Sequence, residues 1–408
     1  PDLGLVNAYA DDIAAVIRNL FDSLVLVNRC FEIIGQATAL HLHPGKVVVV
    51  PLWKFDEAEV RQRIRARVPR LAAAKIQDCG KLLGFFIGPG ADRLQFRSVI
   101  EELRTRARYL ASLNLSWNGV APLYRSHIVS TTCHILQLAP PSLDLRRAEL
   151  SILAVATKSP AHAVPLTVLT RLKDFGLKTD FMSIDVLGKA AAYRAMAGSE
   201  VYPRMVAELA RARSSRESNL SPFLREWSRR GALGYLAAVK AHVESIAGLP
   251  TETYGLQRWA AKALLAAAPR ESLDKSIAKR LSTFTKKVVG TEAALLARYR
   301  IFAVKDLVPA CSIASIIRTL CNAWTTTGRF VGPTAACPFG CGTPEADRFA
   351  HFPGCASLRE LWQEVCPSIA PFFQHLSLDT ITLTAPLLSS SEVCQVIVLT
   401  DGVVQRLQ

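Results

Sequence analysis

Ala8-Tyr9-Ala10-Asp11-Asp12 is the stretch on which the reading of the chain turns. Val6 and Ala8 before it, with Ile13 and Val16 after it, have the pattern of two short apolar strands, which puts the adjacent carboxylates in the turn between them. Hard oxygen ligands on such a tip suit Mg²⁺, which keeps several waters and takes one or two protein carboxylates besides substrate phosphates. A pair of such ions can clamp the attacking and leaving oxygens of a nucleotidyl transfer. An Asp-Asp turn is equally an ordinary solvated surface, so the flanking chain has to decide.

Downstream, Ser23 is a candidate cap for a helix whose apolar face is Leu24, Val27, Phe31 and Ile34, with Gly35 near its end. Leu40-His41-Leu42-His43-Pro44-Gly45-Lys46 then reads as a tight turn, and Val47-Val48-Val49-Val50 as a buried strand, so a lysine is held at a strand mouth. His41 and His43 share one face of an extended segment but have no nearby Cys or acid, which makes them structural rather than ligands. Lys81-Leu82-Leu83-Gly84-Phe85-Phe86-Ile87-Gly88-Pro89-Gly90 reads as a strand pair pinched by glycines.

In this order the three stretches resemble the second half of the palm of a reverse transcriptase of the non-LTR, LINE-like retrotransposon kind. Tyr9-Ala10-Asp11-Asp12 is similar to that family's Tyr/Phe-Ala-Asp-Asp box, His43-Pro44-Gly45-Lys46 to its Asn-Pro-x-Lys turn, and Leu82-Leu83-Gly84 through Gly88 to its Tyr-Leu-Gly hairpin. The resemblance implies Asp11 as a Mg²⁺ ligand, Asp12 as a supporting one, and Lys46 as a general acid toward departing pyrophosphate. It also places Tyr9 near the primer end and makes Leu83, Gly84 and Phe85 a turn that grips the primer strand. The chain departs from the pattern at His41, His43 and Leu82. The family's other metal-binding aspartate and its template-gripping fingers belong upstream of Pro1, so the resemblance implies a fragment with little or no polymerisation of its own. The opening Pro1-Asp2, without Met, fits that expectation.

Phe96 to Leu138 reads as helical, with Arg97, Arg104, Arg106 and Arg108 accompanying Leu103, Leu110 and Leu113. From Leu113 to Leu136 the chain resembles the thumb of the same enzymes, which implies arginine contacts to a template-primer backbone, affinity without sequence choice. An ordinary amphipathic bundle is the other reading of each arginine. From about Leu145 to Ala323 long helix-period patterns read as an all-α connector, in which Trp227, Tyr254 and Trp259 are packing aromatics rather than stacking platforms.

Cys337-x3-Cys341-x9-His351-x3-Cys355 is the last constellation. Two short turns, Pro338-Phe339-Gly340 and Phe352-Pro353-Gly354, let each pair chelate, which is what a closed tetrahedral Zn²⁺ site requires. The run resembles the Cys-Cys-His-Cys knuckle of those retrotransposon proteins, with Asn322-Ala323-Trp324 and Arg329-Phe330 like its lead-in. Zinc there would let Arg329 and Arg348 meet nucleic acid. Cys366 is a possible substitute ligand, and Cys30, Cys79, Cys133, Cys311, Cys321 and Cys394 read as buried thiols.

Composition fits this picture. The chain has 408 residues, half of them apolar, and 49 Lys+Arg against 34 Asp+Glu give +15, which favours a polyanionic partner. Residues 61–132 alone hold thirteen Lys/Arg and four Asp/Glu, and the run Arg61, Arg63, Arg65, Arg67 is either a phosphate-binding edge or a solvated helix face. No apolar run reaches the roughly eighteen residues of a membrane helix, and no secretory signal is visible. Scattered cysteines fit reduced thiols in the nucleus or cytoplasm.

The expected fold class is α+β, mostly α: partial reverse-transcriptase palm hairpins over 1–92, thumb-like helices over 93–144, a helical connector over 145–325, a zinc knuckle over 326–360 and a tail over 361–408. The resemblance implies an RNA-directed DNA polymerase with Mg²⁺ and Zn²⁺, whose partners are an RNA template, a DNA primer or target, and deoxynucleoside triphosphates. The alternative is a non-catalytic nucleic-acid-binding remnant of a decayed element.

Overall fold

A computed structural model of the chain describes residues 4–9, 12–17, 19–39, 41–197, 232–250, 255–268, 271–327, 333–344, 347–365 and 376–407. The fold is mostly helical with a few short strands, and it divides into two compact units. One holds residues 1–99, 138–142 and 198–240, and the other residues 100–137, 143–197 and 241–408.

The first unit opens with strands Gly4–Tyr9 and Asp12–Ile17, paired antiparallel from Gly4 against Ile17 to Tyr9 against Asp12. A helix follows over Leu20–Thr38. Asn19, not Ser23, stands at its N-cap, and Ser23 is buried in its first turn. Both residue types cap helices, and the earlier one wins because the apolar face already includes Leu20 and Phe21, packed beside Leu24. Asp56 caps the next helix, Glu57–Arg67, by accepting the Glu59 N–H, and Val60 and Ile64 bury against Leu24, Val68, Leu71 and Ile76.

That packing uses up most of the basic run on this helix. Arg61 donates to the Ala72 and Ala74 carbonyls, Arg63 lies 3.7 Å over the Phe21 ring, and Arg67 faces Asp22 at 3.7 Å. Of the four arginines read as a possible phosphate-binding edge, only Arg65 has no such tie among the described residues. The four-valine strand is also shorter than its sequence: only Val48–Val49 pairs, parallel to Lys75–Ile76, and Val48 is exposed. With a single two-residue neighbour there is no second face to cover all four side chains.

Gly80–Leu82 and Phe85–Ile87 form the second hairpin. Leu83 and Gly84 take φ of +48° and +88° at its tip, the left-handed pair that matches the twist of a tight hairpin. Gln95 accepts the Phe86 N–H and ties the hairpin to the chain that follows it.

The Arg97–Ser112 helix, which belongs to the second unit from Ile100 onward, buries Leu103, Ala107 and Leu110. Trp117–Tyr124 and Ser130–Leu136 follow, separated by a π-helical turn at Arg125–Val129. The Arg125 N–H is shared between the Ala121 and Pro122 carbonyls, and because Pro122 has no N–H to offer the Asn118 carbonyl, that oxygen accepts the Thr179 hydroxyl instead. Helices at Leu143–Ala156, Ile184–Ala197, Leu256–Ala267, Glu271–Thr285, Thr291–Ala303, Ala310–Leu320 and Ser390–Leu407 complete the framework. Trp259 packs on Tyr193 with ring centroids 5.5 Å apart, while Trp227 and Tyr254 lie outside the described residues. Two cysteines read as buried thiols, Cys30 and Cys311, are exposed, because each falls on the outer side of an amphipathic helix.

Gly176 marks a close approach. It ends the Leu172–Phe175 turn at φ +90°, and a Cβ placed on it would lie 2.4 Å from Lys305 Cβ. Backbone strain and a collision near the lysine main chain add, so Gly176→Ala lowers stability by about 2 kcal/mol. A urea titration checks this, and an unchanged midpoint would refute it. No helix among the described residues is long and apolar enough to cross a membrane.

Candidate metal centre

The Cys337 to Cys355 run is folded around its own four side chains. The Gly340 N–H donates to the Cys337 carbonyl, and the Cys337 N–H to the Thr343 carbonyl, so the first pair sits in a tight loop. Gly340 and Gly342 supply positive φ of +76° and +75° on either side of Cys341. The second pair is set by a 3₁₀ turn over Phe349–Gly354, from which the chain enters the Ala356–Val365 helix. Cys355 precedes that helix directly, and its carbonyl accepts the Arg359 N–H.

The four ligand atoms all lie within 4.8 Å of one another. Cys337 Sγ and Cys355 Sγ are 3.6 Å apart, and Cys341 Sγ is 3.3 Å from His351 Nε2. A tetrahedral zinc with ordinary Zn–S and Zn–N bonds sets such edges at about 3.5–3.8 Å. The donor set, three sulfurs and an imidazole, is also the kind that zinc selects. Among the described residues this is the one group of three or more Cys, His, Asp or Glu side chains placed to hold a metal.

Electrostatics divides the thiols. The Thr343 hydroxyl, and after it the Thr343 backbone N–H, hydrogen-bond the Cys341 sulfur and hold its pKa down to about 6. Burial pushes Cys355 up to about 12, against a hydrogen bond from the Leu358 backbone N–H at the start of the helix. A dication held by these four side chains would reverse the second effect, because a coordinating thiol is deprotonated outright.

Behind the ligands lies an apolar core of Trp324, Phe349, Phe352, Leu358, Trp362, Leu376, Ile381 and Leu399. Trp324 stacks on Phe349 at 5.1 Å, and Phe352 meets Phe339 and Phe349 edge-on. Asp347 braces the lead-in strand of chain: one carboxylate oxygen accepts both the N–H and the hydroxyl of Thr327, and the Ala335 N–H donates to the Thr327 hydroxyl. Spacing pointed to the four ligands. Thr343, Leu358, Asp347 and Thr327 carry no such pattern and emerge only from the folded arrangement.

The other candidate residues are scattered more widely. Asp12 is exposed at the start of its strand opposite Tyr9, whereas Asp11 lies outside the described residues. Lys46 is exposed on the Pro44–Lys46 turn, and no hydrogen bond or ion pair joins it to Asp12 among the described residues. Leu83, Gly84 and Phe85 form the second hairpin tip as described above. Arg97, Arg104 and Arg108 are exposed on one helix, with Arg104 paired to Glu101 at 2.6 Å. Arg106 is committed to structure: it reaches the His127 carbonyl, the Thr131 hydroxyl and Glu102. Arg348 is exposed beside the metal ligands and donates to Thr334, and Arg329 lies outside the described residues.

No protein-family model, curated protein or solved structure matches this chain.

Proposed function

We propose that this chain is the C-terminal part of a non-LTR retrotransposon reverse transcriptase, comprising half of the palm, the thumb, a helical connector and a zinc knuckle. Its reaction in the whole enzyme is addition of deoxynucleotides to a primer 3′-hydroxyl on an RNA template by two-metal displacement. The observation that carries the reading is the first hairpin, in which Gly4–Tyr9 pairs antiparallel with Asp12–Ile17 up to Tyr9 against Asp12. The second hairpin, with its left-handed Leu83-Gly84 corner, and the Cys₃His centre in the same chain support it.

In this reading Asp11 and Asp12 face Mg²⁺, Lys46 delivers the proton to pyrophosphate, and Arg97, Arg104 and Arg108 meet the phosphate backbone. Arg106 is left out because its donors are already used. The work is done in the nucleus or the cytoplasm. Primer extension on an RNA template with Mg²⁺ tests this, comparing the chain with a version extended upstream. Extension by the longer protein, reduced at least about 100-fold by Asp11→Asn with nucleic-acid binding kept, is the expected result. Equal extension by the variant would sink the reading.

A second reading, a nucleic-acid-binding remnant without catalysis, is favoured by one observation. Arg97 and Arg108 are exposed on one helix and Arg348 is exposed beside the Cys₃His centre, cationic groups that could hold nucleic acid without any catalysis. Inactivity of both proteins, with salt-sensitive binding retained, would select it.

A further inference from the structure

We infer that Cys341 is the sulfur through which a hydroperoxide opens the metal centre, with Cys337 as the thiol that resolves the oxidised product. The inference rests on the metal-centre part of the reading above and not on the polymerase part. The three sulfurs differ in access. Cys355 is fully buried and Cys337 nearly so, at 0% and 6% exposure, whereas Cys341 is only half-buried. Cys341 also lies between Gly340 and Gly342, where a Cβ added to either glycine would meet nothing within 4 Å. Of the three ligand sulfurs, an oxidant in solution therefore meets Cys341 first.

A second sulfur has to be at hand for the oxidation to end in a disulfide, and two lie within 4.8 Å of Cys341. Cys337 shares the same short loop, closed by the Gly340 N–H to Cys337 carbonyl bond, whereas Cys355 is fixed at the mouth of a helix. Loop closure favours Cys337, since the loop can tighten by an ångström without moving the helix.

The chemistry balances with the peroxide as the only co-reactant. The Cys341 thiolate attacks the outer peroxide oxygen; an S–O bond forms, the O–O bond breaks, and the departing alkoxide or hydroxide takes a proton from solvent. The Cys337 thiolate then attacks the Cys341 sulfur; the S–S bond forms, the S–O bond breaks, and hydroxide leaves as water with a second solvent proton. Two thiolates, two protons and one hydroperoxide give one disulfide, one alcohol or water, and a further water. A centre left with His351 and Cys355 has lost half of its tetrahedral set and releases its metal.

Hydrogen peroxide applied to the purified, zinc-assayed protein tests this, with zinc release followed by a chromophoric chelator and disulfides mapped by peptide mass spectrometry. Zinc released completely at about one equivalent of peroxide, a Cys337–Cys341 disulfide, and recovery with thiol reductant plus zinc are the expected results. The double variant Cys30→Ser, Cys311→Ser removes the exposed thiols among the described residues and should behave the same. Zinc retained under peroxide, or a disulfide that bypasses Cys341, overturns the inference while leaving the metal centre intact. Protein that carries no zinc from the outset overturns the centre itself, and this inference with it.

Discussion

Chelating a metal held by Cys337, Cys341, His351 and Cys355, or replacing Cys355 with Ser, should unfold the segment from Cys337 to Trp362 while the helices between Leu103 and Tyr193 stay folded. The apolar core behind the ligands is small, and it includes Cys337 and Cys355 themselves. Without a metal, two buried thiols at 3.6 Å and a thiol against an imidazole at 3.3 Å replace coordinate bonds. Structural zinc in small domains contributes about 10–16 kcal/mol of apparent binding free energy at neutral pH, most of it folding free energy. Here the aromatic packing of Trp324, Phe349 and Phe352 retains part of the order, so a local loss of at least about 5 kcal/mol is expected. Hydrogen exchange with and without chelator reads this directly. The amides of Cys355, Arg359 and Gly340 should lose protection, and those of the Leu143–Ala156 helix should keep it. Protection unchanged in metal-free protein would mean that the four side chains are ordinary core residues.

Lowering the pH from about 8 to about 5 should stabilise the second unit through Glu149, by about 3 kcal/mol relative to Glu149→Gln. Glu149 is 3% exposed on the Leu143–Ala156 helix. It accepts the Ile184 N–H at 2.5 Å, at the start of the Ile184–Ala197 helix, with Ser183 as a further partner. Those hydrogen bonds and the helix N-terminus favour the carboxylate. Burial opposes them and wins, raising the pKa from 4.5 to about 7, with Asp185 adding to the rise and Arg146 drawing it back. Asp185 is itself held by Lys189 at 2.7 Å and by Arg146 at 3.3 Å. Tyr124, fully buried nearby, shares the charge's field, and its own pKa is raised by burial and then by Glu149.

The sign follows from where the proton binds more tightly. A folded-state pKa of about 7 against 4.5 unfolded means the native state holds the proton through that window. The contribution is fully present below about pH 4.5 and is lost as the pH rises through about 7. Glutamine stays neutral throughout and can still accept from Ile184, so its profile lacks this component. Urea unfolding of both proteins at the two pH values isolates the difference, because every other titrating group is shared. Parallel profiles would show that Glu149 is not buried as an ionisable group.

Some of this was legible in the residues alone. Four soft ligands in two short chelating pairs specify their own meeting, because a three-residue turn cannot carry Cys337 far from Cys341 or His351 far from Cys355. Helix-period patterns gave the helical framework, and Leu83-Gly84 announced a hairpin, since glycine lowers the cost of a left-handed corner. Those are local properties, fixed by neighbours a few residues away.

What only the tertiary structure decided is where long side chains spend their bonding capacity. Arg61, Arg63, Arg67 and Arg106 look the same in sequence as Arg97 and Arg108. The first four are taken up by backbone carbonyls, a ring face or carboxylates, through partners as distant as Thr131 from Arg106. Glu149 was silent for the same reason: its proton affinity is set by burial and by a helix start 35 positions away in the chain. Desolvation depends on everything packed around a charge, and no short window of sequence contains that.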